Sequence, residues 1–213
     1  METLFAIFSS IVQLVVLAVL ITWAMRQNRE VWLFQLIAGA FGCYFLGTLF
    51  WTLHYFIMND WPHTFSAADL SYIGFYCFFI AAAMGLHTLW TPIERDRAET
   101  WRFAALIAPV IVIAFHAAYF FLAGGLVNNT LYGIALCFLF YFSLLGVVAG
   151  GAYRRFHITI LMVFALELII FLVSSFGFDA LYYVFTYLQM AVWFLVIPAA
   201  KWGVDLSSQE AAT

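Results

Sequence analysis

The sequence predicts an all-α integral membrane protein: a seven-transmembrane-helix up-and-down bundle with its N-terminus outside and its C-terminus in the cytoplasm. Three observations predict it: the composition, seven apolar stretches of spanning length, and the placement of every lysine and arginine. Of 213 residues, 67% are hydrophobic, 21% aromatic and only 9% charged. A soluble domain carries about 25% charged residues because its surface faces water. The surface of this chain must therefore face lipid.

A bilayer core about 30 Å thick is crossed by roughly 20 apolar residues of helix. Seven stretches meet that length, at about 4–25, 31–58, 70–90, 103–123, 130–150, 158–176 and 181–200. Lipid offers backbone N–H and C=O groups no partner, so each stretch is helical. Residues 1–202 then form one transmembrane domain, and 203–213 a short polar cytoplasmic tail, expected to be disordered.

The first span has Glu2 where a signal peptide would be basic, and no small-residue cleavage site before Arg26, so it is expected to be retained. Gln13 lies near its middle. On the second span Gly47, Trp51, His54 and Met58 share a face, and on the third Asp69, Tyr72 and Tyr76 do the same. The fourth carries His116. The fifth carries Gly146 and Gly150, a GxxxG spacing that permits close helix contact within the bundle or between protomers. The sixth begins near His157 and holds Glu167 near its middle. On the seventh, Tyr182, Thr186, Gln189 and Trp193 repeat at helical spacing along one face.

The links at 26–30, 59–69, 91–102, 124–129, 151–157 and 177–180 are short, which makes sequential helices antiparallel neighbours. Arg26 and Arg29 lie in the first link, Arg95, Arg97 and Arg102 in the third, Arg154 and Arg155 in the fifth, and Lys201 follows the last span. The other three links carry no basic residue. Basic residues stay on the cytoplasmic side, so seven spans place all of them there, and six or eight would not.

A net charge of −3 without a basic stripe predicts no nucleic-acid partner. Cys43, Cys77 and Cys137 lie in apolar stretches without metal-ligand spacing and read as packing residues. There is no HExxH, GxSxG, paired-aspartate or phosphate-loop motif, so no enzyme is expected. Lys201 stands too far from mid-membrane for a retinal Schiff base, and no internal repeat points to an inverted-repeat transporter.

Glu167 is the most informative residue. A carboxylate at the bilayer centre is costly, faces the bundle interior and often marks function. If the helices close into a ring, Gln13 and Gln189 meet it there. The plainer reading is a protonated Glu167 that only hydrogen-bonds between helices. Trp51, His54, Asp69, Tyr72, Tyr76, Tyr182 and Thr186 would line an outer vestibule, against the plainer alternative of an interfacial aromatic belt. The histidines open a rival: His54 with His116 in the outer half and His87 with His157 near the inner face would suit two bis-histidine haem b groups. No cofactor is otherwise expected.

The stretch Trp61-Pro62-His63-Thr64-Phe65-Ser66-Ala67-Ala68-Asp69-Leu70-Ser71-Tyr72-Ile73-Gly74-Phe75-Tyr76 resembles the opening of the third helix in the multi-spanning sensor regions N-terminal to some bacterial diguanylate cyclases. Pro62, Ser66, Asp69, Tyr72 and Tyr76 carry the likeness. It implies a bacterial inner-membrane sensor that binds a small molecule from outside. It departs from the family in having no output domain, so signalling would pass through a cytoplasmic or membrane protein partner at 91–102 and 151–157. Ser66 or Asp69 would equally serve as a helix cap. A small-solute transporter, a haem-bearing electron-transfer subunit and a purely structural subunit remain the alternatives.

Overall fold

A computed structural model describes residues 2–27, 31–60, 65–123 and 126–210. Arg29 of the first link, and Trp61, Pro62, His63 and Thr64 of the sensor-like stretch, lie outside the described residues. All regular structure among the described residues is helical: α1 (Glu2–Arg26), α2 (Trp32–Met58), α3 (Ala67–His87), α4 (Pro92–Trp101), a 3-10 turn (Ala104–Leu106), α5 (Ile107–Ala123), α6 (Leu126–Ala149), α7 (Arg154–Ser175) and α8 (Asp179–Glu210). Among the described residues, six helices are long and apolar enough to cross a membrane. A seventh is counted if α4 and the segment after it, bent by 59° at their junction, form one broken span.

α4 is the main departure from expectation, because residues 91–102 were expected to be a plain link. Thr91 accepts a hydrogen bond from the Glu94 N–H, and the Glu94 carboxylate accepts one from the Thr91 N–H, with Pro92 at the first helical position. This capping box closes two orphan donors at once and starts a helix even in a charged segment. Five charged residues, Glu94, Arg95, Asp96, Arg97 and Glu99, exclude α4 itself from a hydrocarbon core. The expected fourth span would then have only the 3-10 turn and the 17 residues of α5, the latter about 26 Å long.

The chain divides into two compact units, Met1–Phe79 and Ile80–Thr213, with α3 running across the boundary. In the first unit Leu17, Leu20 and Ala24 of α1 and Leu33, Ile37 and Phe41 of α2 are buried. Phe41, Phe75 and Phe79 form an aromatic cluster with ring centroids 5.1 to 6.3 Å apart. Close approach of α2 and α3 depends on glycine: a Cβ on Gly47 would stand 2.8 Å from the Tyr72 ring, and one on Gly39 as close to Phe78.

In the second unit α5, α6, α7 and α8 pack successively, and α4 packs on α6. Phe156, Ile160, Val163 and Phe164 of α7 and Trp193, Val196 and Ile197 of α8 form the buried layer. Their opposite faces carry exposed Ile158, Met162 and Leu172 on α7 and Val184, Leu188 and Leu195 on α8. Such apolar outer faces are too extensive for a water-soluble surface and suit lipid.

The turn between α6 and α7 has both glycines at positive φ, 84° at Gly150 and 70° at Gly151, a conformation that side-chain-bearing residues rarely adopt. A Cβ at Gly151 would also collide with the Glu94 carboxylate. Gly150 thus serves the turn, while Gly146 serves packing. The expected disorder after Lys201 is replaced by helix: α8 continues to Glu210. It is held by the Tyr153 hydroxyl, 3.2 Å from Ser207 Oγ, by Tyr153 lying against Gly203, and by the Arg155 guanidinium 4.1 Å over the Trp202 ring.

Candidate functional site

In the second unit α7 and α8 bring together two of the three polar residues expected at mid-membrane. Glu167 and Gln189 are both buried, and the Gln189 amide donates to the Glu167 carboxyl. The same amide nitrogen donates to the Val163 carbonyl at 3.2 Å, one turn earlier on α7. Gln189 therefore ties α8 to α7 through side chain and backbone at once. Thr186 and Trp193 are buried on the same face of α8, Tyr182 is half-buried, and the Thr186 hydroxyl donates back to the Tyr182 carbonyl. The interior stripe expected on the last span is therefore a buried one.

Gln13 belongs to the first unit. Its amide donates to the Tyr44 hydroxyl at 3.4 Å, and the Tyr44 ring stands edge-on, 4.9 Å by centroid, to both Tyr72 and Phe75. Tyr44 was not singled out in the sequence. It lies one helical turn before the Gly47 stripe, and only the partner's identity was hidden.

The remaining vestibule candidates of the first unit have local partners. The Asp69 carboxylate accepts from the Ser66 N–H at 2.7 Å and from the Ser66 hydroxyl at 2.9 Å. Asp69 stands three residues beyond Ser66 and closes the N-terminus of α3, as the capping alternative required. Asp69→Ala is expected to lower stability by about 1 kcal/mol, read as an earlier detergent-unfolding midpoint, with Asp69→Asn losing less. The His54 Nδ1–H donates to the Asp60 carbonyl at 3.0 Å, satisfying a carbonyl just past the end of α2. Trp51 and Tyr72 are half-buried and Tyr76 is buried.

The histidines of the second unit form two arrangements. His116 on α5 and Asn129 on α6 are buried and reciprocal: the His116 Nδ1–H donates to the Asn129 side-chain oxygen, and the Asn129 amide donates to the His116 carbonyl at 2.9 Å. Asn129 is not among the residues singled out above; an asparagine inside an otherwise apolar helix is the sequence signal that points to it. At the other end of this unit the His87 and His157 rings are 5.7 Å apart by centroid. His87 Nε2–H donates to the Phe142 carbonyl at 3.0 Å, so iron ligation through that nitrogen would require the bond to break.

Compared with family models, with curated proteins and with solved structures, the chain matches none of them.

Proposed function

We propose that the protein is a sensor module of a bacterial cytoplasmic membrane, with seven spans, N-terminus out and C-terminus in. In this reading it binds a small molecule from the outer side and signals through a protein partner. The observation that carries it is the buried Glu167–Gln189 hydrogen bond between α7 and α8. A ligand that hydrogen-bonds either side chain competes with the bond that joins the two helices. Ligand binding then has different free energies for the joined and parted states, which is the requirement for shifting a conformational equilibrium.

The length of α8 supports a signalling role. Its 32 residues extend about 48 Å, against about 30 Å of hydrocarbon. The excess lies beside the arginine-bearing α6–α7 turn, held by Tyr153 and Arg155, on the side where the basic residues put the cytoplasm. A displacement of α8 at Gln189 would therefore reach a surface accessible to a partner.

The test is a thermal-unfolding screen of small polar metabolites on the purified chain, with Glu167→Gln as the paired control. A ligand is expected to stabilise the natural chain and to bind Glu167→Gln at least tenfold more weakly. Equal affinity for both proteins would remove Glu167 from the site. Passage of the same ligand across liposomes would make the protein a transporter instead.

A further inference from the structure

The end of the second unit that holds its arginines exposes a surface of mixed apolar and basic side chains. The 3-10 turn and α5 together rise about 32 Å, enough to cross about 30 Å of hydrocarbon. α4 is then surplus to the span, and the 59° bend at its end turns it off the axis of the following helix.

Helical spacing sorts what α4 exposes. Buried Ala98 and half-buried Glu94 face inward, on the side that packs against α6 and the turn after it. Ile93, Arg97, Thr100 and Trp101, at i, i+4, i+7 and i+8, form one exposed flank. Arg95, Glu99 and Arg102, at i, i+4 and i+7, form the other, with Asp96 at its edge. The first flank holds two large apolar side chains and a single charge, whereas the second is charged throughout. A helix so divided suits the plane of a membrane surface.

We propose that the Ile93–Arg97–Trp101 flank of α4, with Arg154 of the adjoining α6–α7 turn, binds the headgroup of an anionic phospholipid in the inner leaflet. The proposal rests on the spans and orientation of the reading above and not on its sensing part.

Continuity supports a lipid as the occupant. Phe103, Leu106, Ile107 and Val110 are exposed and carry an apolar surface from the end of α4 onto α5. A lipid whose tails lie along α5 therefore has its headgroup beside α4. Trp101, 53% exposed, stands at the depth that tryptophan favours in membranes.

Charge supports an anionic one. Arg97 and Arg154 are exposed, and among the described residues neither pairs with a carboxylate. The Arg97 guanidinium lies at the turn that leads into Arg154, with Nη1 3.5 Å from where a Cβ on Gly150 would stand. Glu94, one turn before Arg97, is engaged by the Thr91 N–H, and Asp205 stands 3.8 Å from Lys201. Guanidinium groups match phosphate oxygens in pairs, and basic pockets at this end of a bundle suit anionic headgroups. Lying between apolar side chains, Arg97 can rest its stem on them while its charge reaches the phosphate.

The test titrates the full chain, purified in a neutral detergent, with phosphatidylglycerol or with phosphatidylcholine of the same acyl chains, and counts retained lipid by native mass spectrometry. Phosphatidylglycerol is expected to bind about tenfold more tightly. Arg97→Gln combined with Arg154→Gln should remove most of that preference, and Arg95→Gln, on the other flank, should leave it intact. Glu167→Gln should leave it intact as well, so failure of the sensor reading does not alter the result. A second readout needs no arginine variant: a spin label at Thr100→Cys, with Cys43, Cys77 and Cys137 changed to serine, in phosphatidylglycerol vesicles. Oxygen, which concentrates in the bilayer, should relax it more than a water-soluble nickel chelate does, and a label at Glu99→Cys should show the reverse. Equal affinity for the two lipids, or a preference untouched by the double glutamine variant, would overturn the assignment. So would a Thr100 label in open water, or one shielded from both reagents by a second copy of the chain. A chain that stays in solution without detergent would overturn the membrane reading itself.

Discussion

Trp193→Ala is expected to cost about 3 kcal/mol, the lower end of the range for removing a large buried aromatic side chain. Trp193 is 0% exposed and lies one turn beyond Gln189 on the face of α8 that packs on α7. In water the loss would combine a transfer term with a cavity term. For a helix that unfolds into lipid or detergent the transfer term shrinks, because tails are as apolar as the core. What remains is the loss of dispersion contacts around a void that neighbours fill only in part. Leu195, two residues on and 50% exposed, is the control; Leu195→Ala should change stability by less than about 0.5 kcal/mol. Titration of both proteins with a denaturing detergent in mixed micelles compares them directly. Equal losses would mean that this face of α8 is not the packed one.

Gly146→Val should destabilise by about 3 kcal/mol, at the upper end of the range for overpacking a core. A Cβ at this position would stand 2.2 to 2.4 Å from three atoms of the His157 ring, closer than real contacts allow. The ring has little freedom to move, because it is buried beside Phe156 and faces His87. The conflict would be resolved by moving α6 away from α7. Gly42→Ala makes the contrasting case: nothing lies within 4 Å of its added methyl group, and helix propensity alone should leave it neutral or raise stability by up to about 1 kcal/mol. The pair separates glycine kept for close packing from glycine merely tolerated. If Gly146→Val unfolds at the same detergent concentration as the natural chain, the tight α6–α7 approach is wrong.

The GxxxG spacing illustrates how far a motif can be read. It announced a close contact at Gly146 and Gly150 without saying which kind. Gly146 meets a histidine ring of the next helix, whereas Gly150 adopts a left-handed turn. The two roles come from the same missing Cβ. The segment at α4 shows the reverse: Thr91-Pro92-Ile93-Glu94 carries a complete capping box, but its charge density drew it into a link. Local hydrogen bonding outweighed the polarity.

Helical character and apolar outer faces were determined by the sequence alone. In lipid a backbone has no partner but itself, so any long apolar run must be helical. The inward direction of Glu167 followed from the cost of a carboxylate in hydrocarbon, and the 3.6-residue period put Thr186, Gln189 and Trp193 on one face. Tertiary structure decided the partners: Gln189 for Glu167, Tyr44 for Gln13, Asn129 for His116 and His157 beside His87. Periodicity tells a residue which way to face. It does not say which helix stands opposite, because that depends on the summed shape of many side chains packed without voids.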